Sequence, residues 1–173
     1  VLGVGMVVGV WVVLQALAAG LEKAGGSTGD PRNLLITRKG SDSESSSQIT
    51  NEDINSIQYS SEIARDAEGR PLISADALLA VYLSRKSGDG GANVIFRGVS
   101  ERALELRPQV QLVEGRWFVP GNREVTLSRR LAGRFGDMQV GGTIKIGARE
   151  LKVVGHFDAS GSAFDSEAWM AVD

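Results

Sequence analysis

The chain has 173 residues, which is enough for one compact domain of ordinary size. Its 19 Lys and Arg residues are set against 21 Asp and Glu residues, and a formal net charge of -2 leaves no strongly basic surface for binding nucleic acid. The sequence contains no cysteine, which excludes disulfides, thiolate nucleophiles and Cys-ligated metal centres.

The first stretch of the chain is apolar. Between Val1 and Leu21 the one plainly polar side chain is Gln15, and every charged residue comes later. A helix needs about 20 apolar residues to cross the hydrocarbon of a bilayer. We therefore predict a transmembrane helix over residues 1–23, in contact with lipid through residues 1–21. A cleavable signal peptide is the weaker interpretation, because it would have a basic start, a shorter apolar stretch and a small-residue cleavage motif.

The composition changes after this helix. Residues 24–32 are rich in glycine and small polar side chains, which favours a flexible linker over a continued helix. We expect a folded domain over residues 33–173 that continues beyond the end of this sequence. Its first element is predicted at Asn33–Arg38, a short, partly β-branched apolar stretch typical of a buried strand. The serine-rich Ser41–Ser47 follows, and we interpret it as a solvated loop.

The next element has the clearest helix-start signal in the domain. Thr50 is a favourable N-cap residue, and Asp53 lies three residues further on, as in a capping box. Ile49 and Ile54 occupy the two positions of a hydrophobic staple. This pattern predicts a helix over residues 51–58.

Two strands and a short helix are predicted in the middle of the chain. Leu72–Ser84 contains the sequence LLAVYL, and Asn93–Arg97 reads NVIFR; both are typical of strands. The turn-prone Ser87–Gly91 separates them. A short capped helix is predicted at Ser100–Leu106.

A strand followed by a short helix is predicted further on. The strand is Glu124–Leu127, Ser128 caps the helix, and Gly136 ends it. Three apolar residues share one face of this helix: Leu131, Ala132 and Phe135. Its polar face carries three arginines for which solvation is favoured over an interaction surface: Arg129, Arg130 and Arg134.

A β-hairpin is predicted around a two-residue turn, Gly147–Ala148. In this register Ile144 pairs with Leu151 on one face of the hairpin. Lys145 pairs with Glu150 on the other face, so that opposite charges meet.

The sequence offers weak candidates for catalysis. His156 lies within the strand-like VVGHF, where a structural role is favoured over acid–base chemistry. Asp165, Ser166 and Glu167 bunch together and could be drawn with His156 as a metal or hydrolase site. However, no HExxH, GxSxG or calcium-loop spacing is present, and a polar loop explains these residues better. We therefore predict no catalytic, cofactor or metal site, and no enzymatic activity for this chain.

Several short stretches occur together in a telling order and approximate spacing: Glu114–Gly115–Arg116–Trp117–Phe118, Asn122–Val125, Leu131–Ala132 with Phe135, Val140–Gly141 and Val153–Val154–Gly155. They follow an apolar first helix, the stretch NLLITRKG and the capped ITNEDINSI. Each is weak singly, but together they are fairly specific. Over nearly its whole length, the chain resembles the MacB-type permease family of ABC transporters.

The resemblance implies an α+β (mixed α/β) fold. An N-terminal transmembrane helix would be followed by a periplasmic core domain with a porter-like βαβ lobe and an inserted β-rich lobe. We expect the first lobe over Asn33–Leu83 and the second over Asn93–Phe157. The residues expected to define the fold, with no ligand role, are Glu114, Gly115, Arg116, Glu124, Gly141, Val154 and Gly155.

The resemblance also implies a role. The chain would be the extracytoplasmic part of a permease in the bacterial inner (cytoplasmic) membrane, with its soluble domain in the periplasm or outside the cell. It would couple ATP-driven motion to substrate release or export, as in lipoprotein release or efflux. The implied partners are a separate ABC ATPase subunit or domain, a second permease copy, and a periplasmic adaptor or lipoprotein substrate; no cofactor is implied.

The alternative hypothesis is a single-pass anchored module that binds a ligand outside the cytoplasm. Its pocket would be lined by Trp117, Phe118 and Trp169. Isolated aromatic residues in a small domain more often belong to the core than to a pocket. The permease interpretation is therefore favoured.

Overall fold

The computed structural model describes residues 2–26, 29–88 and 90–172. Its helices are α1 (Leu2–Gly26), α2 (Asn51–Gln58), α3 (Ala103–Leu106) and α4 (Arg129–Ala132). Its strands are β1 (Ala77–Ser84), β2 (Gly91–Val99), β3 (Gln111–Gly115), β4 (Glu124–Ser128), β5 (Thr143–Ile146), β6 (Arg149–Asp158) and β7 (Glu167–Ala171). Short 3-10 helices lie at Glu44–Ser46 and Ala163–Ser166.

The strands form one mixed sheet in the order β1-β2-β7-β4-β6-β3, and β5 pairs with β6. The pairs β2 with β7 and β4 with β6 are parallel, and the other pairs are antiparallel. With the apolar α1 ahead of this sheet, the predicted α+β class is confirmed. The boundary predicted between Leu83 and Asn93 is wrong, because β1 pairs with β2 along its whole length and belongs to the same sheet.

Apolar side chains cover both faces of the sheet. One cluster includes Phe96, Leu127 and Leu131, and the other includes Phe157, Phe164 and Trp169. Neighbouring residues of a strand point to opposite faces, so Ala168 and Trp169 of β7 belong to different clusters. The sheet is therefore the centre of the hydrophobic core, with a cluster on each side.

Helix α2 forms as its sequence predicts. The backbone N–H of Asp53 donates to Thr50 Oγ1 at 3.2 Å, and the N–H of Thr50 donates to Asp53 Oδ2 at 3.0 Å. Both halves of the capping box are therefore present. The helix spans Asn51–Gln58, as predicted.

The described part of the chain forms two hairpins, and the second of them, around Gly147–Ala148, is the one that the sequence predicts, so that prediction is confirmed. The turn after β1 returns the chain into β2, and Ser84 pairs with Gly91 at its base. In the second hairpin Ile144 pairs with Leu151, and Lys145 Nζ lies 3.2 Å from Glu150 Oε1.

The first predicted strand, Asn33–Arg38, is wrong. The segment has no regular secondary structure and pairs with no strand in the described part of the chain. Its apolar side chains are exposed, with Leu34 at 87% and Leu35 at 69%. An apolar, β-branched stretch becomes a strand only where a second strand supplies hydrogen bonds, and local composition does not provide one.

Helix boundaries differ from the predictions at three places. Helix α1 runs on to Gly26, so the helix ends later than the expected start of the linker, and residues 27 and 28 lie outside the described ranges. Helix α4 ends at Ala132, with Gly133 as its C-cap, whereas the sequence predicted a helix that continues to Gly136. Helix α3 begins at Ala103, with Arg102 at the N-cap position, and the hydroxyl of Ser100 donates to Ser74 Oγ at 3.0 Å instead of capping the helix. The hydroxyl that the local pattern assigned to the helix cap therefore binds a residue distant in sequence.

Between α1 and β1 lies a long stretch of mostly irregular chain, residues 29–76, which we call the connecting segment. It contains α2 and the 3-10 helix Glu44–Ser46, which lies in the predicted serine-rich loop. No residue of the connecting segment is buried. The core clusters draw all their members from residues beyond it.

Candidate functional site

The residues expected to define the family fold lie around β6. In the ladder between β3 and β6, Glu114 pairs with His156 and Gly115 pairs with Gly155. The N–H of Arg116 donates to the carbonyl of Val154 at 2.9 Å. A short motif in β3 thus meets a second motif some forty positions later in β6.

Two glycines allow this close contact between strands. A Cβ on Gly155 would collide with the backbone oxygens of Arg116 and Glu114. Gly115 has a φ of 70°, a region that other residues rarely adopt, and its Cβ would collide with the backbone of Val154. Because the neighbouring atoms are backbone, a rotamer change cannot relieve either collision.

An ion pair closes the loop that leads from β3 to β4. Arg116 donates to both carboxylate oxygens of Glu124, at 2.7 and 2.6 Å. The N–H of Val119 donates to the same carboxylate at 3.1 Å. The hydrogen bond from Arg116 lowers the pKa of Glu124 below its usual value, although partial burial opposes this shift.

Gly141 and Val154 complete the group around β6. Gly141 has a φ of 90°, and its N–H donates to the carbonyl of Val153 at 2.8 Å. Val154 is buried. The predicted residues are therefore brought together, but their role in defining the fold stays a prediction, which substitution of Gly155 would test.

His156 is buried between two acceptors. Its Nδ1 lies 2.8 Å from Glu114 Oε2, and its Nε2 lies 2.7 Å from the carbonyl of Met138. Both ring nitrogens are thus engaged by groups of the protein, which favours the structural role predicted for this residue.

The acidic residues near His156 in sequence have other partners. Asp165 accepts hydrogen bonds from the N–H groups of Ala159 and Gly161, at 2.9 and 2.8 Å, and so closes its own loop. Glu167 binds Arg97. Among the described residues, no group of three or more His, Asp or Glu is arranged to hold a metal ion.

The aromatic residues proposed to line a pocket pack together instead. Trp169 and Phe157 are fully buried, with ring centroids 5.2 Å apart. Trp117 stacks on Phe157 at 5.9 Å and meets Phe118 edge to face at 6.3 Å. These rings pack against one another in the core on one face of the sheet. They therefore fill the space where a pocket was predicted.

A buried charge cluster, which the sequence did not predict, lies where β1 and β7 begin. Arg97 is 6% exposed and holds Glu167 through two hydrogen bonds of 2.8 and 2.9 Å. It also reaches Asp76 at 3.1 Å and Glu44 at 3.0 Å. Burial by itself lowers the pKa of Arg97, but the bonded Glu167 and the other carboxylates outweigh it and raise the pKa above its usual value.

A second arginine joins the same cluster. Arg107 Nη2 lies 2.5 Å from Asp76 Oδ2. The guanidinium stands 5.6 Å from the ring centroids of both Phe164 and Trp169, within the range of cation–π attraction. Trp169 in turn donates its indole N–H to Glu167 at 2.9 Å. Charged and aromatic groups from distant parts of the sequence therefore form one connected unit.

The three arginines predicted on the polar face of the helix, of which Arg129 and Arg130 lie in α4, are partly paired, although solvation was predicted for them. Arg129 lies 2.7 Å from Asp158, and Arg130 lies 3.4 Å from Asp165. Both side chains are mostly exposed, so these pairs add little to stability. Arg134 stands over the ring of Phe135 at 5.9 Å.

Helix α1 is the part of the structure suited to a membrane. Its stretch Gly3–Glu22 has 20 residues, a mean hydropathy of 2.1 and no burial against the rest of the protein. This length is sufficient to cross the hydrocarbon of a bilayer. The geometry is thus that of an apolar helix, a connecting segment and a sheet domain, in that order.

Comparisons with known proteins agree with this arrangement. The extracellular domain of the noncanonic ABC-type transporter YknZ from Gram-positive bacteria has a TM-score of 0.52 and 16% identity, over 71% of this chain and 62% of that chain. The periplasmic region of MacB from Actinobacillus actinomycetemcomitans has a TM-score of 0.50 and 17% identity, over 73% of this chain and 57% of that chain. At such identities the likeness shows a shared fold.

No curated protein matches this chain. The chain spans less than two thirds of either of these solved domains, at 62% and 57% of their lengths. The family model of the MacB-like periplasmic core domain, however, matches residues 1–173. This chain therefore belongs to the MacB-like periplasmic core domain family.

Proposed function

We propose that this chain is the extracytoplasmic part of an ABC transporter permease and couples ATP-driven motion across the membrane to substrate release or export. The most direct support is the extent of the family match, which covers both the membrane-compatible helix and the whole sheet domain. A domain built this way can receive motion from the membrane through its own backbone.

The shape of α1 supports a mechanical role. The helix has 25 residues, and at 1.5 Å per residue it is a rod about 37 Å long. Its C-terminal end at Gly26 lies close in sequence to Gly29, where the connecting segment begins. A shift or tilt of the helix is therefore passed to the connecting segment over a short length of chain.

The proposed partners follow from what this chain does not encode. Its sequence has no phosphate-binding loop of the GxxxxGK[ST] type, so ATP hydrolysis is assigned to a separate ABC ATPase subunit or domain. A second permease copy would complete the transporter, and a periplasmic adaptor or lipoprotein substrate would meet the soluble domain. We place the helix in the bacterial inner membrane and the domain in the periplasm or outside the cell.

The first test is purification of the full-length protein from crosslinked membranes. We expect an ATP-hydrolysing subunit or domain in stoichiometric amount, together with a second permease copy. Recovery of the protein in good yield with no ATPase would contradict the proposal and leave the anchored binding module as the better account.

The second test separates coupling from mere association. A short flexible glycine insert after Gly29 would decouple α1 from the domain, and we expect it to abolish the domain's influence on the ATPase rate. The matched control carries the same insert in the exposed turn at Gly147–Ala148, where the backbone already has a φ of 59°. Equal effects of the two inserts would show that motion does not pass through the connecting segment.

A further inference from the structure

We propose that the connecting segment is a releasable strap, held against the sheet by ion pairs and hydrogen bonds, which can detach while the sheet stays folded. Such a device lies between the membrane helix and the sheet domain. It goes beyond the coupling role above, because it concerns a conformational change within this chain.

The first support is that no apolar side chain of the connecting segment is fully buried, although Pro71, Leu72 and Ile73 are half-buried. Of the described residues 29–76, none is buried, and neither core cluster includes any of them. Leu34, Leu35 and Ile36 are all exposed. Apolar burial is the dominant favourable term in folding, so the connecting segment gains less from it than the sheet does.

The second support is the set of charged contacts between the connecting segment and the sheet. Glu44 and Asp76 both bind Arg97 of β2, at 3.0 and 3.1 Å. Asp76 also binds Arg107. In each pair the carboxylate comes from the connecting segment and the arginine comes from the sheet domain.

Further polar contacts extend this pattern along the segment. Arg102 donates to Asp66 at 2.8 Å, and Ser100 donates to Ser74 at 3.0 Å. Nearer the membrane helix, the side-chain amide of Asn33 donates to a backbone carbonyl of α3 at 2.6 Å. The segment is thus attached by polar groups at several points along its length.

The third support is the loose fit between the two parts. An open cleft of about 370 Å³ is lined by residues of both parts: Gln58, Arg70, Pro71 and Ile73 from the connecting segment, and Ser100, Glu101 and Arg102 from the sheet domain. Buried atoms of two arginines, Arg102 Nε and Arg107 Nη1, have no hydrogen-bond partner in the described part of the chain. Close packing of an interior would leave neither feature.

The charge cluster also shows why release need not unfold the sheet. If Glu44 and Asp76 leave, Arg97 keeps both of its hydrogen bonds to Glu167. Arg107 keeps the faces of Phe164 and Trp169. The departing carboxylates become hydrated, Arg97 keeps its ion pair with Glu167, and Arg107 keeps only its cation–π contacts with the two rings.

The test is hydrogen exchange, followed by mass spectrometry, on the full chain in lipid nanodiscs. Asp76→Asn removes the charge that binds both arginines, and we expect exchange in residues 29–76 to quicken roughly tenfold while β2, β4 and β7 keep their protection. The matched control is Glu62→Gln, which removes an exposed carboxylate of the same segment and should leave exchange unchanged. Raising NaCl from about 0.05 M to about 1 M should also quicken exchange in the wild-type segment.

An engineered crosslink makes the test reversible. The chain has no cysteine, so Ser74→Cys with Ser100→Cys, placed where the hydroxyls are 3.0 Å apart, gives a single disulfide between segment and sheet. When it is oxidised in the Asp76→Asn background, the added exchange should disappear, and reduction should restore it.

Two results would overturn the proposal. One is Asp76→Asn raising exchange in the segment and in the sheet strands together, which would make the cluster part of the global fold. The other is Asp76→Asn behaving like Glu62→Gln. If Asp76→Asn does not fold, Glu44→Gln and the salt series on the wild-type chain decide the matter by the same criteria. No ATPase is needed, so failure here leaves the coupling proposal to its own tests.

Discussion

Between residues 77 and 172 the chain fully buries Leu127, Phe157 and Trp169, whereas between residues 29 and 76 it buries no residue. The sheet is held by apolar side chains on both of its faces, and the connecting segment is held by carboxylates that reach arginines of the sheet. The two regions follow one another in the sequence, yet different forces hold them in place. The difference shows that a chain can combine a firmly folded body with a segment whose position depends on charge.

The difference also explains how each region should respond to its surroundings. Apolar burial is not directional and depends little on salt or pH. Charge pairs depend on both, because ions screen separated charges and acid neutralises carboxylates. Substitutions and conditions can therefore be chosen to affect one region and spare the other.

The largest effect is expected from removing a buried leucine. Leu127 is fully buried and Leu35 is 69% exposed. Leu127→Ala should lower the free energy of unfolding by about 2 to 5 kcal/mol, and Leu35→Ala should change it by less than about 0.5 kcal/mol. Urea unfolding of the full chain in detergent micelles, followed by tryptophan fluorescence, measures both. A comparable loss in Leu35→Ala would mean that the connecting segment shares the core after all.

A smaller effect is expected at the contact between β3 and β6. In Gly155→Ala the added methyl group collides with the backbone of Arg116 and Glu114, and the strands must move apart. We expect a loss of about 1 to 3 kcal/mol in the free energy of unfolding. Gly136→Ala is the control, because a Cβ there meets nothing within 4 Å. If the two variants unfold at the same urea concentration, Gly155 does not define the fold.

The smallest effect is expected at the Arg116–Glu124 ion pair. Because the pKa of Glu124 is lowered in the folded state, its contribution is present above its usual value of 4.5 and is lost as the pH falls below it. Glu124→Gln should cost about 1 kcal/mol at neutral pH, and its stability should fall less than that of the wild-type chain on acidification. Glu150→Gln breaks an exposed pair and should behave like the wild type. Parallel pH profiles for Glu124→Gln and wild type would contradict this assignment.

The elements that the sequence predicted well depend on neighbours in the chain. The cap of α2 joins Thr50 to Asp53, and the hairpin turn brings Lys145 to Glu150. In both, the partners lie three to five residues apart, so residue type and spacing contain most of the needed information. The group around β6 was found in a different way, by resemblance to a family.

The elements that were missed depend on distant partners. Asn33–Arg38 has the composition of a strand but pairs with none in the described residues, so it remains a mostly exposed segment without regular structure. Ser100 was assigned to a helix cap, but its hydroxyl donates a hydrogen bond to Ser74, which lies 26 positions earlier. The wrong assignments share one cause, which is that local patterns do not say which partner the fold will supply.

By itself, the sequence determined the apolar first helix, the capped α2, the hairpin of β5 and β6, and the absence of cysteine chemistry. Each of these follows from composition or from residues a few positions apart. Only the tertiary structure decided that Arg97 meets Asp76, Glu44 and Glu167, which lie 21, 53 and 70 positions away. The physical reason is that a buried arginine is stabilised by whichever carboxylates the folded chain places beside it, and that placement follows from the sheet topology.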